Sequence, residues 1–231
     1  SEDRQNPLML GAIASTDNHF GTAGRVTEEG YRGSIASLFS TDEQVLNSTQ
    51  FNPGGLVAVW ANHNTRGEIF DALHRREAYA TSGPRISLQF SAGPESACAA
   101  HPRVQKDHTA MGGTLPGATQ AGVYFTVSAQ MDHTPLAKLQ LVKGELWEGE
   151  LRETVFDLFN AEEGQAQTCV AWLDEDFNPN APSYWYARAS EIPTPRWSKL
   201  LCESLGKCGD YPKADRMIEE RAWSSPIWHL P

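Results

Sequence analysis

The sequence predicts an α/β portion followed by an all-β portion, and three observations lead there. Up to residue 83, short apolar runs are followed by polar clusters and by one capped helix. From Arg85 onwards, apolar residues alternate with polar ones in short stretches separated by Gly, Pro and Asn turns. The 231 residues include 19 Gly, 14 Pro and 7 Trp, a mix that suits a loop-rich, strand-rich fold better than a helical bundle.

The elements follow in order. Leu8-Met9-Leu10-Gly11-Ala12-Ile13-Ala14 reads as a buried strand. Ser15-Thr16-Asp17-Asn18-His19 then falls at its carboxyl end, where α/β folds place their chemistry. The turn Asn52-Pro53-Gly54-Gly55 launches a second buried strand at Leu56-Val57-Ala58-Val59-Trp60. Thr65, with Glu68 three residues on, makes the capping-box pattern of a helix start. Ile69, Phe70 and Leu73 supply that helix with an apolar stripe, Arg75 and Arg76 suit the negative end of its dipole, and Thr81-Ser82-Gly83-Pro84 stops it.

Ile86, Leu88 and Phe90 share one face of a strand, as do Val123, Phe125 and Val127, and Leu139 and Leu141. Residues 155–158, 169–172 and 184–187 read as further strands, and the set reads as an antiparallel sandwich. The expected division is an α/β portion over 1–83, a sandwich over 84–190, and a Pro- and Trp-rich tail over 191–231 that wraps the surface.

Composition narrows the function. A net charge of −10 argues against a nucleic-acid or anionic-membrane binder, which needs a basic surface. Hydrophobic residues at 40% and charged residues at 21% describe a folded chain. No apolar run approaches the roughly 18 residues of a membrane span. The four cysteines, Cys98, Cys169, Cys202 and Cys208, allow three disulfide pairings, and four reduced thiols are the other reading. Cys202 with Cys208 closes a short local loop, which leaves Cys98 for Cys169. Disulfides would place the protein in the periplasm or outside the cell.

Asp17 and His19 are the first candidate for chemistry. A hard carboxylate oxygen and a borderline imidazole nitrogen, two residues apart, can reach one divalent ion, zinc, manganese or iron. Two ligands do not complete a site, and a cap with a surface His is the plainer reading of the pair alone. His63 is a further ligand or base in the same sense, but as a loop residue ordering a turn it needs no such role. Thr81-Ser82-Gly83-Pro84-Arg85 offers amides and a guanidinium to an anion, or is a linker with a surface Arg. Asp174-Glu175-Asp176-Phe177-Asn178-Pro179-Asn180 begins like a calcium loop, but Pro179 stands where the sharp turn needs Gly, so a chain of Asx turns is the reading.

Several segments in order resemble a bacterial family catalogued as domain of unknown function 3604, itself related to the PHP (polymerase and histidinol phosphatase) superfamily of metal-dependent phosphoesterases. They are residues 11–19, Asn52-Pro53-Gly54-Gly55-Leu56, residues 64–85, Met111-Gly112-Gly113, Asp174-Glu175-Asp176-Phe177 and residues 219–228, with Glu219-Glu220-Arg221 and Trp223-Ser224-Ser225-Pro226. The resemblance covers nearly the whole chain. It implies that residues 1–83 form the end of a distorted β/α barrel. It also implies that Asp17 and His19 match the superfamily's last metal-binding motif, an Asp-x-His after the final barrel strand.

The superfamily's earlier His motifs would lie upstream, so the resemblance also implies an amino-terminal half supplied as a separate or cleaved chain; a homo-oligomer stays open. The polar stretch Ser1-Glu2-Asp3-Arg4-Gln5 suits a nicked loop. The expectation is part of a metal-dependent hydrolase acting on phosphoesters or related esters, with Arg85 contacting an anionic substrate. The alternative is a non-catalytic secreted structural or binding subunit that uses the sandwich.

Overall fold

The structure is a computed structural model that describes residues 9–17, 19–31, 33, 39–98, 107–116 and 122–231. Ser1 to Gln5, Leu8 and Asn18, singled out above, lie outside the described residues. Along the chain run α1 (Asp42–Leu46), β1 (Leu56–Val59), α2 (Arg66–His74), β2 (Ala78–Thr81), β3 (Ser87–Gly93), β4 (Thr109–Ala110) and β5 (Val123–Gln130). Then come β6 (Leu136–Trp147), β7 (Glu150–Gln165), β8 (Gln167–Asp174), β9 (Ser183–Glu191), β10 (Thr194–Pro195), α3 (Trp197–Ser204), β11 (Met217–Ile218), β12 (Arg221–Ser224) and β13 (Ile227–His229).

Two antiparallel sheets hold most of these strands. The larger has the order β1-β2-β12-β9-β6-β7, with β13 continuing alongside β9 after β12 ends. The smaller has the order β4-β3-β5-β8. Period-two alternation sends Leu88, Phe90, Val123, Phe125 and Val127 of the smaller sheet inward. They meet Leu139, Leu141, Trp185, Ala187, Ala189 and Ala222 of the larger one. Phe125 stacks on Trp185 with ring centroids 4.6 Å apart. A second, smaller cluster packs Leu46 of α1 against Cys202 of α3 and Ala214.

The barrel expected over residues 1–83 is not there: the sheets are antiparallel and none among the described residues closes into a barrel. Two sequence features explain the difference. A parallel β/α layer needs helices that cover the sheet with an apolar stripe. In α2 only Ala72 is buried, while Phe70 and Leu73 are 64% and 43% exposed. The helix also ends earlier than expected, at His74, because Arg76 takes a left-handed φ of 60° and turns the chain straight into β2, antiparallel to β1. The expected first strand is absent as well. The described residues 9–14 join no ladder, and Leu10 and Ile13 are 63% and 68% exposed.

Both cysteine pairs form disulfides. Cys98–Cys169 bridges a separation of 71 residues, and Cys169 lies on β8. Cys202–Cys208 closes a separation of 6 after α3. Disulfides persist in oxidising compartments, which points to a location outside the cytosol. No helix among the described residues is long and apolar enough to cross a membrane.

Candidate functional site

The segment carrying Asp17 and His19 is held by backbone fit. Ser225 Oγ accepts from Ala12 N at 2.9 Å and donates to Ala78 O at 2.6 Å, tying the segment to the start of β2. Gly55 N donates to Ser15 O at 3.0 Å. The glycine pair in Asn52-Pro53-Gly54-Gly55 makes this approach possible. A Cβ on Gly54 would stand 2.3 Å from Thr16 Cα, and one on Gly55 would stand 2.1 Å from Thr81 O.

Asp17 and His19 come next, and both take a left-handed backbone, with φ of 49° and 63°. Asp and His enter that region more readily than most residues with a side chain, because their polar groups can bond locally. The His19 ring bonds through Nδ1 to Asp17 O at 2.8 Å. Its Nε2 then faces Asp17 Oδ1 at 3.7 Å, with side chains 62% and 88% exposed. The two candidate ligands are therefore together and open to solvent. Among the described residues no group of three or more His, Cys, Asp or Glu side chains is placed to hold a metal ion.

His63 is exposed in the turn before α2, where its carbonyl accepts from Thr65 N at 2.8 Å. The anion-accepting turn at residues 81–85 is engaged by the protein's own carboxylates. Ser82 Oγ bonds Glu220, and Asp132 Oδ2 accepts from Arg85 N at 2.8 Å, while the Arg85 side chain is exposed. In residues 174–180, Asn178 Oδ1 accepts from Asn180 N at 3.0 Å, an Asx turn.

Sequence reasoning missed a cluster of buried and half-buried acids, Glu28, Glu191 and Glu220. The contacts run from Thr16 to Gly54, from Gly54 to Gly83, and from Gly83 to Val26, two residues before Glu28. Glu28 accepts a bond from Trp197 N at the start of α3. Burial pushes the Glu28 carboxyl up to about 7; the negative charge of Glu220 adds to this, and the Trp197 amide and Arg196 oppose it. Glu191 is likewise pushed up to about 7 by burial and by the charges of Glu220 and Asp132. Its Oε1 is buried with no hydrogen-bond partner among the described residues. Burial raises Glu220 too, against the Ser82 bond and Arg196. Glu28 and Glu191 can hold protons near neutral pH, a property that concentrates at functional sites. The only signal in the sequence was the Glu219-Glu220-Arg221 run, because Glu28 and Glu191 stand in ordinary surroundings until the chain folds.

The family model for proteins of unknown function DUF3604 matches residues 1–163 and 158–231. The chain belongs to the DUF3604 family. It is also similar to an uncharacterized protein of Chlamydia muridarum, 33% identical over 92 residues. That match takes in 39% of this chain and 13% of the relative, so the chain spans a small part of that curated protein's length. No solved structure matches this DUF3604 chain.

Proposed function

We propose that this chain is part of a metal-dependent hydrolase acting on phosphoesters or related esters, in which Asp17 and His19 hold a divalent cation, zinc, manganese or iron. The observation that carries the reading is the paired geometry of the two side chains. With Nδ1 bonded to Asp17 O, the Nε2 lone pair is the one left to ligate, and a backbone carbonyl on the second nitrogen is how metal-binding imidazoles are oriented. Two ligand atoms on one tetrahedral zinc stand about 3.4 Å apart, given bonds of roughly 2.0–2.2 Å. The 3.7 Å between Nε2 and Asp17 Oδ1 is close to that spacing.

The two residues fit as part of a ligand set. The other ligands would come from polypeptide outside the described residues, an amino-terminal half of the same protein. A relationship of the family to the PHP phosphoesterases belongs to the same reading. A bound cation supplies a water of lowered pKa and a polarised substrate oxygen. The chain's own part is to hold Asp17 and His19 at one point of the surface and to keep the loop anchored over Gly54 and Gly55. The two disulfides fit work in the periplasm or outside the cell.

Metal analysis of the intact protein, purified without chelators, tests the reading together with an aryl phosphate assay. The expected outcome is bound divalent metal and metal-dependent hydrolysis. Asp17→Ala and His19→Ala should each lower metal affinity at least about tenfold with unchanged thermal unfolding. Metal-free protein from its source, or variants that bind metal as the parent does, would overturn it.

A further inference from the structure

The sandwich is open at one end, and the residues around that opening are of the wrong kind for a core. Alternation along β6 and β7 puts Leu141 and its partner Phe156 on the inner face, where both join the apolar cluster. The next two inward rungs pair Lys143 with Thr154 and Glu145 with Arg152. Opposite them, on the edge of the other sheet, β8 contributes Trp172 and Asp174, which lie on the same inner face as their partners Phe125 and Val123. Between these edge strands lies a groove of about 650 Å³.

Its floor is a fixed ion pair. Lys143 Nζ sits 2.8 Å from Asp174 Oδ2, with the side chains 9% and 2% exposed. Trp185 Nε1 donates to the same Asp174 oxygen at 3.1 Å, and Lys143 Nζ donates to Asp176 O at 3.2 Å. A buried ion pair gives little net stability compared with apolar residues of the same size. Its presence where two aliphatic side chains would close the sandwich therefore calls for another reason. The walls are aromatic: Phe156 and Trp172 meet with ring centroids 4.5 Å apart. Glu145 lines the groove, and its Oε1 is buried with no hydrogen-bond partner among the described residues. A buried acceptor without a donor marks a place where a donor is missing.

We propose that this groove binds a neutral, hydroxyl-rich ring compound, a saccharide. An aromatic wall packs against the apolar C–H face of such a ring, and a ring hydroxyl supplies the donor that Glu145 lacks. The charges choose against other ligands. Once Lys143 and Asp174 are paired, the groove keeps three carboxylates, on Glu145, Glu175 and Asp176, and one guanidinium, on Arg152. That balance repels an anion. The inference is independent of the hydrolase reading, because none of these residues belongs to the Asp17 loop or the acid cluster.

The test is a titration of the intact protein with hexasaccharides of N-acetylglucosamine, β-linked and α-linked glucose, and xylose, followed by tryptophan fluorescence and calorimetry. Heparin fragments and spermidine serve as the charged comparisons. Saturable binding of at least one neutral hexasaccharide is expected, with Trp172 protected from hydroxyl-radical oxidation in the parent protein. Glu145→Ala should weaken that binding about tenfold or more at unchanged circular dichroism. Because Trp172→Ala removes a ring packed on the core, protection of the parent's Trp172 replaces it as the second readout. No binding of any hexasaccharide at millimolar concentration, binding of a charged probe alone, or equal binding by Glu145→Ala would overturn the proposal.

Discussion

Phe125 and Asp17 stand at opposite extremes of the molecule. Phe125 is fully buried, with Phe90, Trp172 and Trp185 around it at centroid distances of 6.0, 6.3 and 4.6 Å. Asp17 lies in a segment with no ladder of its own, held by single bonds to Ser225 and Gly55 and by the close fit over Gly54. The sandwich is fixed by side chains that exclude water, and the segment by backbone packed on backbone and by the Ser225 hydroxyl. Regions with few apolar contacts open at low free energy, and sites that must admit ligands are drawn from them. The candidate metal pair belongs to the second kind of region, and the saccharide groove is cut into the first.

The largest effect is expected in the sandwich. Phe125→Ala leaves a cavity among three aromatic rings and should cost about 3–5 kcal/mol. Urea unfolding would measure it, and a loss under about 1 kcal/mol would show that the two sheets do not depend on their shared core.

A smaller, local effect is expected from Gly54→Ala. The new methyl meets Thr16 Cα at 2.3 Å on a backbone with φ of 90°, so the segment must lift; the cost is about 1–3 kcal/mol. Amide exchange should quicken at Gly55 and Ala12, whose N–H groups bond Ser15 O and Ser225 Oγ, and stay unchanged along β5. Equal quickening in both places would erase the contrast between the regions.

The smallest effect is a pH dependence. Glu28 and Glu191 titrate near 7 in the folded chain and at the ordinary carboxylate value when unfolded. Between those values the folded state binds more protons, so stability falls as pH rises from about 4.5 to about 7 and levels off above. Glu28→Gln keeps an acceptor for Trp197 N, removes that group's share of the slope, and raises the melting temperature by a few degrees at pH 8. A slope unchanged in Glu28→Gln would show that Glu28 is not a buried acid.

The strands β3 and β5 to β9 were legible, because Leu88, Phe90, Val123, Phe125, Val127, Leu139 and Leu141 repeat with the period of a sheet facing a core, while β4 was not. Cys202 and Cys208 were legible as a pair because only six positions separate them. Thr65 was legible as a cap, and its Oγ1 accepts from Glu68 N at 3.3 Å. The run from Leu8 to Ala14 misled because a short apolar stretch carries no sign of whether a ladder partner exists. The stripe on α2 misled because Phe70 and Leu73 have the spacing of a buried face with no sheet face to cover. Glu28, Glu191 and Glu220 carried no signal, since an acid is perturbed only by what folding brings to it.

The sequence by itself determined the strands β1, β3 and β5 to β9, the pairing of Cys202 with Cys208 as the local choice, and that Asp17 and His19 stand close enough to meet. These are local matters, settled by spacing within a few residues. Only the tertiary structure decided that β12 slips between β2 and β9, that the sheets stay open instead of closing into a barrel, and that Glu28, Glu191 and Glu220 come within reach of one another's charge. It also decided that Lys143 and Glu145 face inward at the mouth of the sandwich. Those outcomes depend on partners far apart along the chain, and alternation fixes which face a side chain takes without saying what it will find there.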